Sequence, residues 1–146
     1  MEKNVGEVAA NYFLEGFSCA EAVLMSIASA QGISSPLIHK IATAFGSGLS
    51  CTNGMCGALS GGILALSLVK GKTTKEDDRR ELYSDVQELT RLFEKRFESQ
   101  ECTKLLGFSL SDADAGVQFV EKDCKNAKCV HYVSYVANKV NQRVEN

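Results

Sequence analysis

Proline occurs once among the 146 residues, at position 36, so almost nothing in the chain interrupts a ladder of backbone hydrogen bonds. Long helices can run between a few glycine- and serine-rich breaks, and apolar residues fall at steps of three and four rather than two. From Val5 to Ala30 that step is kept by Val8, Tyr12, Ala20, Val23, Leu24 and Ile27. Gly16 divides the stretch into two helices, and Ser18 caps the second, which carries Cys19 in its first turn. Ser35 and Pro36 open a third helix with Leu37, Ile38, Ile41 and Phe45 as its buried stripe, ended by Gly46 and Gly48. Turn formers dominate residues 46–54, which read as an irregular loop delivering the chain to Cys56. A helix then runs from Gly57 to a glycine stop at Gly71.

Thr74 with Asp77 forms a capping signature for the next helix, whose Leu82, Val86, Leu89, Phe93 and Phe97 share one face. That stripe serves core packing or, alternatively, a helix-mediated homodimer. Ser111 or Asp112 caps a short helix through Val120, and a last helix runs from about Asn126 to Val144 with Val130, Val133, Val136 and Val140 near one side. The expectation is one all-α domain over residues 1–146, a helical bundle of about five to seven helices.

Composition excludes several functions. With 45% apolar and 23% charged residues the chain has the profile of a globular protein, not of a disordered one. A formal net charge of -2 gives no positive field for a phosphate backbone, so nucleic acid is not an expected partner. The most apolar stretch, Met55 to Val69, is too short to span a membrane and is diluted by Gly57, Gly61 and Gly62. No P-loop, dinucleotide fingerprint, nucleophile elbow or HExxH occurs. No secretory signal is seen at the N-terminus, which points to the cytoplasm, where thiols stay reduced unless they are catalytic or metal-bound.

Six cysteines therefore carry the functional argument. Cys19, Cys51, Cys56, Cys102, Cys124 and Cys129 contain no C-x-x-C pair, so neither a thioredoxin-like dithiol nor ordinary zinc knuckles are expected. Cys51 with Cys56 and Cys124 with Cys129 are C-x4-C pairs, whose sulfurs meet only if the chain between them turns back. Cys56 stands at a helix start, where free N–H groups and the positive end of the dipole favour a thiolate, and so a low pKa and a nucleophile. The plainer alternative is a small buried apolar residue. His131 lies two residues after Cys129 and so on a different side of a helix, and it reads as structural; His39 is given no role.

Cys19 in Phe-Ser-Cys-Ala-Glu-Ala-Val-Leu, Cys56-Gly-Ala-Leu-Ser-Gly61, Cys102 in Cys-Thr-Lys-Leu-Leu-Gly and Cys129 in Cys-Val-His-Tyr-Val together resemble the C-GCAxxG-C-C family of redox-active proteins. The resemblance covers nearly the whole chain. It implies that Cys19, Cys56, Cys102 and Cys129 are the functional set, with Gly57 and Gly61 supporting them. Met55 stands where the family name has glycine, and Cys51 and Cys124 fall outside the matched four as spare, supporting or resolving thiols. A similar domain within split-Soret-type cytochromes admits an iron–sulfur centre as well, although no C-x-x-C-H haem attachment occurs.

Three functions follow as expectations. The first is a cytoplasmic thiol–disulfide oxidoreductase or electron carrier with an unidentified redox partner, Cys56 attacking and Cys19, Cys102 or Cys129 resolving. The second is an iron–sulfur or zinc module ligated by the same four thiols. The third is a structural or interaction protein with inert buried cysteines.

Overall fold

The structure, a computed structural model, describes residues 4–145. Asn4 accepts the Glu7 N–H at 2.8 Å and starts α1, Val5–Glu15; Gly16, at φ 116°, ends it in the left-handed conformation that glycine tolerates. Ser18 and Glu21 close a reciprocal capping box at the head of α2, Cys19–Ala30. The remaining right-handed helices are α3, Leu37–Ala42; α4, Gly57–Lys70; α5, Arg80–Phe97; α6, Cys102–Leu106; α7, Ala115–Glu121; and α8, Val130–Val144. Among the described residues there are no strands, only an isolated bridge between Met55 and Glu101. The single helical domain is thus all-α as expected, but among the described residues it has eight right-handed helices rather than five to seven, because Cys102–Leu106 forms a short helix, α6, of its own.

The core forms where α2, α4 and α8 meet, with α1 laid across α2 and α8 and α5 covering the far side of α4. Val23, Ile27, Leu59, Leu66, Phe93, Val133, Val136 and Val140 are fully buried there. Small residues on α4 set how closely its neighbours come. A methyl on Gly61 would lie 2.7 Å from the Ala20 carbonyl oxygen, so α2 and α4 touch backbone to backbone. Asp85 is buried beside the core, 2.6 Å from the Lys70 ammonium and 3.6 Å from the Arg143 guanidinium, and joins α4, α5 and α8.

Several local expectations are corrected. In α3 only Ile38 and Ala42 are buried, whereas Leu37 and Ile41 are 57% and 53% exposed. Six residues present one narrow edge to α2, and Phe45 lies beyond in a 3₁₀ turn, half-buried. α5 starts at Arg80, not behind Thr74: Asp77 ties Thr73 and Thr74 into a turn of their own, and Asp78 accepts the Arg80 N–H at 2.8 Å. Along α5, Leu89 and Phe93 are buried and Leu82, Val86 and Phe97 partly so. Asp112 accepts the Ser109 N–H rather than capping a helix, and α7 begins at Ala115.

Two irregular turns matter most. Residues 46–54 are not a shapeless loop. Ser47, Gly48, Leu49 and Ser50 have φ between 53° and 62° and ψ between 41° and 64°, and Cys51 follows at φ 64°, which is a turn of left-handed helix. At the start of the last helix, Lys125–Cys129 form a π-turn, in which the Val130 N–H reaches back five residues to the Lys125 carbonyl.

Candidate thiol site

Cys19, Cys56, Cys102 and Cys129 come from four separate segments of the chain and line one cleft of about 110 Å3. Cys19 is the first residue of α2, and Cys56 immediately precedes α4. Gly57 lets these two meet: its Cα lies directly under the Cys19 sulfur, and any side chain there would displace it. Gly61, one turn on, holds the two helix starts at that distance. The Cys-Gly-Ala-x-x-Gly spacing therefore has a mechanical meaning, one glycine for a sulfur and one for a backbone.

Cys102 opens α6 and is stitched to the stretch before Cys56. Its N–H donates to the Gly54 carbonyl at 3.0 Å, and the Cys56 N–H donates to the Gln100 carbonyl at 2.7 Å. Cys129 ends the π-turn, whose Lys128 ammonium donates to the Leu105 and Leu106 carbonyls at 3.0 and 3.2 Å and so holds the C-terminal end of α6. Phe13, Leu105, Leu106, Leu110 and Phe119 close the walls, which makes the surroundings of the sulfurs apolar.

Burial decides the protonation of these groups. It pushes the Cys56 thiol well above its ordinary range, helped by the neighbouring Cys19 sulfur and opposed by the Ala58 and Leu59 N–H groups at the head of α4. The low pKa expected of Cys56 is therefore corrected: the helix terminus is present, but at 6% exposure desolvation outweighs it. Burial likewise raises Cys19, against the N–H groups of Ser47, Ala20 and Gly57, which face its sulfur. Burial and then Cys19 bring Cys102 to about 11, and the same two causes bring Cys129 to about 12. All four are thiols at neutral pH.

The other two cysteines lie apart. Cys124 is fully buried behind the cleft among Leu106, Phe108 and Ala115, and Cys51 is exposed at the end of the left-handed turn. His131 is exposed and does not line the cleft, and His39 stands on the surface 3.3 Å from Glu21. Tyr132 does line it and was not singled out from sequence; burial first, then Cys129, raises its phenol to about 12. Its position three residues after Cys129, on the same helical face, was the available signal.

Four thiols are the soft donor set that an iron–sulfur cluster or zinc takes. As placed, however, no three His, Cys, Asp or Glu side chains among the described residues converge closely enough to hold a metal ion. The arrangement does not fit such a group, and no chemical step is derived through one. Among the described residues no helix is long and apolar enough to cross a membrane.

Compared with known proteins, residues 17–143 match the family model described as "Putative redox-active protein (C_GCAxxG_C_C)". No curated protein and no solved structure matches the chain.

Proposed function

Since the chain belongs to the C_GCAxxG_C_C family, we propose that it is a thiol–disulfide oxidoreductase whose redox couple is Cys19 with Cys56. The observation that carries this reading is the placing of the Cys19 sulfur on Gly57, next to Cys56, at the starts of two helices. In the oxidising direction the two thiols and a substrate disulfide give a Cys19–Cys56 disulfide and two substrate thiols. Two electrons and two protons leave the protein. The N–H groups of Ala20, Ala58 and Leu59 stabilise whichever thiolate forms in passing, and the apolar cleft keeps the resting dithiol neutral. Cys102 and Cys129 share the cleft as resolving thiols. A reducing compartment, the cytoplasm, suits six cysteines that are all free, and the partner is a disulfide or dithiol carrier.

Equilibration in thiol–disulfide buffers, followed by alkylation and peptide mass analysis, should find one couple linking residues 19 and 56. Cys56→Ser should abolish it; an unchanged couple in that variant would remove Cys56 from the role. A brown protein from oxygen-free purification, bleached by dithionite, would replace the dithiol reading with a cluster on the same residues.

A further inference from the structure

The inner pair has an access problem. Cys56 is 6% exposed and Cys19 half-buried, and the cleft before them has about 110 Å3 of free volume, well below the ~300–1,000 Å3 of a small-molecule pocket. A peptide or glutathione disulfide does not fit, yet exchange requires a sulfur to reach a sulfur. The left-handed turn supplies what is missing. It carries an exposed thiol, Cys51, at its outer end. The Ser47 N–H at its inner end faces the Cys19 sulfur, and the Gly48 Cα is packed so tightly on Cys102 that a methyl there would lie 2.7 Å from the Cys102 Cβ. The same segment is fastened to α6 by the Cys102 N–H to Gly54 carbonyl bond and by the Thr103 hydroxyl, which donates to Asn53 Oδ1 at 2.7 Å. Through these contacts Cys102 stands between the turn that carries the exposed thiol and the inner pair, and after burial the Cys19, Cys51 and Cys124 sulfurs all raise its thiol.

Resting on the dithiol reading above, we propose that Cys51 and Cys102 form an outer thiol pair that relays a disulfide between an external disulfide or dithiol and the inner Cys19–Cys56 couple. Cys51, as thiolate, attacks the external disulfide and forms a mixed disulfide, and the first leaving thiolate takes a proton from solvent. Cys102 gives up its proton and attacks the Cys51 sulfur, releasing the second external thiol and leaving a Cys51–Cys102 disulfide. Cys56 then attacks Cys102, freeing Cys51, and Cys19 attacks Cys56, freeing Cys102. The sum is one external disulfide reduced to two thiols and one Cys19–Cys56 disulfide formed, with both outer thiols regenerated.

The test uses the fully reduced protein with oxidised glutathione as probe, acid quench at intervals, and peptide mass analysis of every disulfide. In the wild type, glutathione should appear first on Cys51, then a 51–102 disulfide, then 19–56. Cys102→Ser should trap glutathione on Cys51 and slow the 19–56 disulfide at least tenfold. Cys51→Ser should slow it by a similar factor while the final 19–56 fraction at equilibrium stays as in the wild type. Circular dichroism of both variants checks that the fold is kept. A 19–56 disulfide that forms at wild-type speed in Cys51→Ser overturns the relay and leaves the inner couple standing. Failure of that disulfide to form in any of the proteins overturns the dithiol reading itself.

Discussion

At the scale of single residues, glycines do as much as sulfurs. Gly61→Ala should push α2 from α4, because the Ala20 backbone cannot give way, and should cost about 1–3 kcal/mol in urea unfolding. Gly116 in α7 has no heavy atom within 4 Å of where its side chain would stand, so Gly116→Ala should instead add about 0.5–1 kcal/mol. That Cys19, Cys56, Cys102 and Cys129 come together was readable in the sequence from their distinctive local contexts. Their protonation was not, because a helix start is visible in a sequence whereas the depth at which it is buried is not. Cys102 and Cys129, at about 11 and 12 in the fold, compare with about 8.5 in an unfolded chain. Between those values the unfolded state has lost protons that the native state keeps. Stability from these thiols is therefore full below about pH 8.5 and is lost as pH climbs toward 12. Urea midpoints measured from pH 7 to 11 should fall across that window, and a cysteine-to-serine change at both positions should flatten the fall.

Elements show where local patterns stop being informative. Long helices such as α5 and α8 are set by apolar periodicity, so both were legible, the first displaced at its start and the second missing only its opening π-turn. The left-handed turn was hidden because three of its four inner residues are not glycine, and each such residue is held against its own preference at about 1–2 kcal/mol. Only surrounding contacts, among them Ser50 Oγ to the Ala44 carbonyl at 2.8 Å, make it hold. The π-turn has the opposite use: one extra residue in the turn brings Cys124 and Cys129 to the same apolar cluster. Deleting the exposed Ala127 should restore an ordinary helix and rotate what precedes it by about 100°. The Lys128 contacts with the end of α6 should then be lost, read as faster alkylation of Cys124, which is now fully buried.

For the whole molecule, Asp85 shows that the bundle is joined by more than apolar contact. Asp85→Ala should leave the Lys70 ammonium with only Glu81 and should cost about 1–3 kcal/mol in urea, whereas Asp85→Asn, which keeps an acceptor, should cost less. Periodicity alone did not identify this carboxylate as interior, because a charged residue on an apolar face reads as its solvated edge. The thiol cleft is likewise a property of the complete bundle. Its four sulfurs enter along the chain at positions 19, 56, 102 and 129, and the last is held against α6 by a lysine just ahead of the final helix. A polypeptide still emerging from the ribosome carries three of those thiols long before it has the wall that gathers them. Until Cys129 and α8 have been added, the sulfurs at 19, 56 and 102 have no common cleft, and the dithiol site proposed above exists only as scattered cysteines.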